Sequence, residues 1–217
     1  AASSVYDRAT AWMADDPDES TRQELAALVE AKNEAELADR LAGPLEFGTA
    51  GLRGVIGAGE NRMNRAVVLR TSDGLARYLL AEVPDAKTRG IVVGFDGRRF
   101  SKVFAEDTAA VFAAHGIPVR LFQGVGPTPL VAFAVRHLGA CAGVMVTASH
   151  NPPEYNGYKV YWGNGAQIIP PHDAGIGIGK GSGIGGGPAS TFGLPYQISQ
   201  TPASTGSTRC RSRSSDF

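Results

Sequence analysis

Cysteine is scarce. The two present, Cys141 and Cys210, form no metal-ligating or redox spacing. Cys141 lies inside an apolar run and reads as a small buried core residue, which suits a reducing cytoplasm. No apolar stretch approaches the ~18 residues needed to span a bilayer. The first sixteen residues carry acids and lack the apolar segment of a secretory signal, although the chain does not begin with Met. Neither sign of charge dominates, with 21 basic and 21 acidic residues, so nothing global favours nucleic acid or an anionic membrane surface. There is no internal repeat. The length, 217 residues, suffices for one good core or two small domains.

What is present is concentrated between Ala142 and Trp162. Ala142 to Val146 reads as a buried strand. A polar loop follows, Thr147-Ala148-Ser149-His150-Asn151, closed by Pro152-Pro153 and Asn156-Gly157. Gly157 to Trp162 alternates as a second strand. A serine, a histidine and an asparagine therefore stand where a central strand ends, the edge of an open α/β sheet at which ligands bind. An earlier stretch, Leu45-Glu46-Phe47-Gly48-Thr49-Ala50-Gly51-Leu52-Arg53-Gly54, crowds glycines around one arginine. Glycine lets the backbone approach an anion, and the planar fork of arginine matches phosphate oxygens.

Thr-Ala-Ser-His-Asn-Pro, with Asn-Gly-Tyr-Lys at fixed spacing after it, resembles the active-serine loop of the α-D-phosphohexomutases, the phosphoglucomutase and phosphomannomutase family. Phe-Gly-Thr-Ala-Gly-Leu-Arg-Gly resembles that family's first active-site loop. Arg62-Met63-Asn64 resembles the branch containing phosphoglucomutase-2 and phosphopentomutase, but Asn64 suits a helix cap equally well. The resemblance covers residues 45 to 173.

The remaining chain supplies the scaffold. Residues 1 to 42 read as a helical arm, with Asp16-Pro17 as a helix start and Asn33 capping a second helix ended by Gly43-Pro44. A helix is expected from Asn64 to Val83, and a doubly covered strand from Gly90 to Phe95. The loop Asp96-Gly97-Arg98-Arg99 resembles the family's Asp-x-Arg turn. Either arginine faces the cleft, or Asp96 caps the loop and pairs with them, and the structural role is preferred. Ser101 is expected to cap a helix through Ala114, followed by a strand from Ile117 to Phe122 and a helix from the Gly126–Pro129 turn to Leu138. His115 and His137, near helix ends, read as dipole partners. After Gly163-Asn164-Gly165, residues 166 to 169 are expected to return as a short strand. These alternations predict an α/β fold: helices on both faces of a mixed, mostly parallel sheet, with an N-terminal helical arm at 1–42, a main domain at 43–173 and a Gly/Ser-rich tail at 174–217 expected to be disordered.

The resemblance implies a phosphosugar mutase that moves a phosphoryl group between hydroxyls of hexose or pentose phosphates through a phosphoserine. Ser149 would carry the phosphate. Arg53 and Lys159 would neutralise it, and His150 would contact it or assist proton transfer. Thr49, Gly51, Asn151 and Arg62 would bind substrate or phosphate. Mg²⁺ held through the phosphate on Ser149, and a sugar 1,6-bisphosphate activator, would be the cofactors, and a small phosphosugar the partner. A Ser-His-Asp hydrolase is disfavoured, since side chains adjacent along an extended loop diverge and no Gly-x-Ser-x-Gly elbow exists. Two departures stand out. The family's Asp-x-Asp-x-Asp-Arg metal loop and its sugar-recognition segments have no counterpart, and the resemblance stops abruptly after His172-Asp173. The chain reads as the first domain of a longer enzyme. The alternative is a truncated or frame-shifted non-catalytic fragment that binds phosphate at most weakly.

Overall fold

The computed structural model describes residues 4–47 and 51–169 together with His172 and Ile176. The tail expected to be disordered lies outside the described residues, apart from Ile176.

Three helices open the chain: α1 (Val5–Asp15), α2 (Glu19–Glu30) and α3 (Glu34–Arg40). Ser4 and Asp7 close a reciprocal capping box on α1, and Asn33 caps α3 as its position suggested. The start of α2 differs from expectation. Asp18 is its cap, accepting from the Ser20 amide, whereas Asp16 ends α1 and its carboxylate accepts from the Asp18 amide. Pro17 thus sits in the connection, outside the helix. Ala9, Trp12, Leu25, Leu37 and Leu41 are buried in the same apolar cluster as the sheet, so the arm shares the domain's core.

The sheet has five strands in the order β1-β5-β4-β2-β3. These are β1 (Leu52–Val55), β2 (Ile91–Phe95), β3 (Val119–Leu121), β4 (Ala142–Val146) and β5 (Tyr155–Trp162). Pairings β2–β3 and β2–β4 are parallel, while β4–β5 and β1–β5 are antiparallel. The sheet is mixed as expected but not mostly parallel, since β5 and β1 make half of its pairings antiparallel. The expected return strand at 166–169 is a single bridge from Tyr161 to Gln167. Strand β1 was not expected at all, since its glycines read as a loop. It exists because β5 offers it an edge, and one glycine is required there: a Cβ on Gly51, at φ +88°, would collide with the Tyr158 carbonyl.

Helices α4 (Arg65–Glu82) and α6 (Ser101–Ala114) cover one face and α7 (Thr128–His137) the other; α5 (Ala86–Arg89) is a single turn. The period-2 alternation of the strands decides the partners. Ile91, Val93, Val144, Val146, Tyr158 and Val160 pack in one cluster with Leu75, Phe104 and Phe112. Val92, Met145 and Tyr161 pack with Val131 and Val135 of α7. Asn64 caps α4 through the Val67 amide, which favours the cap role over a ligand role. Ser101 is not the cap of α6. That place belongs to Phe100, in a left-handed conformation, while the Ser101 hydroxyl donates to Asp96. Cys141 is buried and free, and burial pushes its thiol pKa up. No helix among the described residues is long and apolar enough to cross a membrane.

Candidate active site at the end of strand β4

Strand β4 ends at Val146, and the chain leaves it through Thr147 to enter β5 at Tyr155. Ser149 sits at the tip, exposed, with φ +59°. A non-glycine residue reaches that region only where its surroundings impose it. Here the restraint is visible. The Ser149 amide donates to the Thr147 hydroxyl at 2.8 Å, and that hydroxyl donates to Asp96 at 2.5 Å. Asp96 stands at the end of the neighbouring strand β2, so two parallel strand ends build the turn together. The second Asp96 oxygen accepts from the Ser101 hydroxyl at 2.7 Å and the Arg98 amide at 3.0 Å. Asp96 is therefore structural, and Arg98 pairs with it at 3.5 Å.

The loop's other wall is β5 and the edge strand β1. Arg53 stands opposite Gly157 in the ladder. A Cβ on Gly157 would lie 2.7 Å from the carbonyls of Leu52 and Thr147 and 3.2 Å from Cγ of Arg53, so only glycine lets the arginine lie across the strand. Lys159, two residues on, points to the same face by alternation. It is 9% exposed. Burial first, and the Arg53 guanidinium second, hold its ammonium below the ordinary lysine pKa. Neither cation pairs with a carboxylate among the described residues. The Arg53 guanidinium reaches Asn151 Oδ1 at 3.4 Å, and its buried Nε has no partner among the described residues. A buried donor without an acceptor costs ~1–3 kcal/mol, which an incoming oxyanion would recover.

Ser149, His150, Asn151, Arg53 and Lys159 are thus grouped at one end of the sheet. The Ser149 hydroxyl lies 3.3 Å from His150 Nδ1. Gly51 contributes backbone beside Tyr158 and Lys159. Thr49 lies outside the described residues. Arg62 is held elsewhere: its guanidinium contacts Asp39 of α3, with Glu36 at 3.8 Å and the Asn61 carbonyl at 2.9 Å. Three residues that hold the loop carried little weight in the sequence: Thr147, Arg98 and Asn156, whose amide group bonds the Arg99 carbonyl at 2.8 Å and Ser101 at 3.0 Å. All three lay in motifs visible in the sequence, Thr147 in the serine loop, Asn156 in Asn-Gly-Tyr-Lys and Arg98 in the Asp-x-Arg turn, where the expected pairing with Asp96 is found.

Comparison with known proteins gives a consistent picture. The sequence model for "Phosphoglucomutase/phosphomannomutase, alpha/beta/alpha domain I" matches residues 44–177. The chain is 53% identical over 165 residues to a probable phosphoribomutase of Schizosaccharomyces pombe, and 47% identical over 171 residues to a phosphopentomutase of Homo sapiens. Each match covers 76% of this chain and 28% of the relative. A glucose 1,6-bisphosphate synthase of Mus musculus is 46% identical over 168 residues, 75% of this chain and 27% of that protein. The crystal structure of a candidate phosphomannomutase from Thermus thermophilus superposes with a TM-score of 0.55 at 39% identity, covering 62% of this chain and 29% of that one. The chain thus spans under a third of the length of the curated relatives it matches.

Proposed function

This chain belongs to the phosphoglucomutase/phosphomannomutase family, of which it holds the alpha/beta/alpha domain I, and from that premise we propose that the protein is a phosphosugar mutase in which Ser149 carries the phosphoryl group. One observation carries the reading. The strained, exposed Ser149 shares a strand end with two cations that have no carboxylate partner among the described residues, one with a buried unpaired N–H. A phosphate of up to two negative charges answers that arrangement.

In the transfer, the bond from Ser149 Oγ to phosphorus forms as the bond from phosphorus to the sugar oxygen breaks. The serine proton departs and the sugar oxygen gains one. His150 Nδ1, 3.3 Å from the serine oxygen, is within reach of that proton. Arg53 and Lys159 offset the charge that the transferring group brings. Asn151, already turned to Arg53, helps hold that guanidinium in place. A sugar 1,6-bisphosphate would prime the serine, and hexose or pentose phosphates are the substrate class suggested by the names of the relatives. Mg²⁺ is a different matter. No group of three His, Cys, Asp or Glu among the described residues suits a metal, and both Asp96 oxygens are occupied. These residues do not form a magnesium site by themselves.

The test is intact mass and peptide mapping of a full-length protein carrying this domain after exposure to glucose 1,6-bisphosphate. A gain of one phosphoryl group on Ser149, absent in Ser149→Ala, is expected. Label on another residue with Ser149 unmodified would overturn the reading.

A further inference from the structure

We propose that Arg98 is a positioning residue for Ser149, and that it works by gathering the loop's backbone carbonyls onto one guanidinium. Its two terminal nitrogens donate to four of them: Ser149 at 2.8 Å, Asn151 at 2.6 Å, Pro152 at 2.8 Å and Tyr155 at 3.2 Å. No other side chain among the described residues bonds the loop this often. The pattern is directional as well as stabilising. A trans peptide holds its C=O and N–H antiparallel. Turning the Ser149 carbonyl toward Arg98 therefore turns the His150 N–H the opposite way, where it meets no acceptor among the described residues.

Two prolines make the device necessary. Pro152 and Pro153 have no N–H to anchor a turn, so carbonyls are the handles the loop offers. The only backbone ties within it are Asn151 N–H to the Ala148 carbonyl at 3.2 Å and Tyr155 N–H to the Pro152 carbonyl at 3.1 Å. Arg98 is itself fixed by Asp96, which also fixes Thr147 and so the Ser149 amide. One carboxylate thereby aligns both flanks of the serine: the N–H side through Thr147 and the C=O side through Arg98. The left-handed Ser149 follows from this double hold. Lysine cannot replace Arg98, since a point ammonium lacks the fork that spans four carbonyls.

The inference concerns loop geometry, and its link to phosphate rests on the proposed function above. The test uses this chain, with amide hydrogen exchange and titration by inorganic phosphate, both followed by NMR. In Arg98→Lys and Arg98→Met, exchange at Ser149, Asn151 and Tyr155 should quicken at least ~10-fold, while Val144 and Val93 in β4 and β2 exchange as in the wild type. The phosphate-induced shift of the His150 amide should shrink, with lysine rescuing little. Unchanged loop exchange in the two variants overturns the proposal. So does equal quickening in β4 and β2, which would mean that Arg98 supports the fold alone. Because Arg98→Met is the variant more prone to misfolding, Arg98→Lys decides if the former does not fold. If the wild type shows no phosphate response, the phosphoserine reading suffers while the exchange result still judges Arg98.

Discussion

Arg40, Arg62 and Arg65 differ from Arg53 and Lys159 in one respect: the first three have carboxylates. Arg40 meets Glu24 at 2.6 Å and Glu36 at 2.9 Å, and Arg62 contacts Asp39. Arg65 holds Asp107 in a two-pronged pair, both contacts 2.8 Å. At the end of β4 the chain offers two half-buried or buried cations with no such partner among the described residues. Where charge serves stability it is neutralised within the fold. Where it is left uncompensated, the fold bears a cost that a ligand can remove. By this criterion Arg62 and Arg53, both glycine-flanked or loop arginines in the sequence, fall on opposite sides.

The largest consequence concerns what the site lacks. Two cations and a serine stand together there, and no group of three His, Cys, Asp or Glu among the described residues could hold a metal ion beside them. Forfeited positioning alone amounts to ~7–11 kcal/mol of barrier. Residues 1 to 217 by themselves should show no measurable glucose 1-phosphate to glucose 6-phosphate conversion, with Mg²⁺ and bisphosphate present, in a coupled dehydrogenase assay. Turnover at ordinary enzyme rates that vanishes in Ser149→Ala would show the described site to be sufficient.

The paired side of the comparison should break differently. Asp107 is almost wholly buried, so Asp107→Ala strands the Arg65 guanidinium and should lower stability by about 3 kcal/mol in urea unfolding. Arg53→Met, in contrast, removes a half-buried cation that had no counter-charge among the described residues, and the unfolding midpoint should hold or rise. A loss as large as that of Asp107→Ala would place Arg53 among the structural arginines.

The same contrast explains what was legible in sequence. Strands β2 and β4 are continuous apolar runs, and helices α4, α6 and α7 announce themselves by periodicity and punctuation. The serine loop was legible because its residue types are unusual in that order. Strand β1 was not, because Leu-Arg-Gly-Val is short, is broken by a glycine and is made a strand by β5, a hundred residues later. The α6 cap was misjudged for a related reason: Ser101 is drawn to Asp96, which leaves the cap to Phe100. The family match runs on to residue 177, past the stop expected at 173, and there Ile176 is buried in the core with its carbonyl against Gly74 of α4. His172 likewise stacks on Trp162 and bonds the Tyr78 hydroxyl at 2.9 Å. Burial by non-local partners leaves no periodic trace in so short a segment.

In a full-length protein that carries this domain, Arg53→Lys sharpens the comparison. Charge is kept while the planar fork is lost, so a purely electrostatic role would survive. The phosphoryl-transfer rate should fall at least ~10-fold, about 1.4 kcal/mol. Unchanged kinetics would reduce Arg53 to a loop-shaping residue.

The smallest effect is the most direct reading of uncompensated charge. Lys159 titrates below its ordinary 10.5, mainly through burial and secondarily through Arg53. Between its folded pKa and 10.5 the unfolded chain binds more protons, so the lysine's contribution to stability should rise with pH across that window. Below the window the charged lysine imposes a constant cost. Arg53→Met removes the second cause and leaves the first, so the Lys159 pKa should move up without reaching the ordinary value, and the pH dependence should flatten. Phosphate on Ser149 should raise it too, by adding the missing counter-charge. The readout is the pH titration of the Lys159 Cε and Nζ resonances in the wild type, in Arg53→Met and in the phosphorylated protein. If the pKa stays put in Arg53→Met, the two cations do not feel each other across the strand. If it stays put on phosphorylation, the phosphate is not held where Arg53 and Lys159 converge.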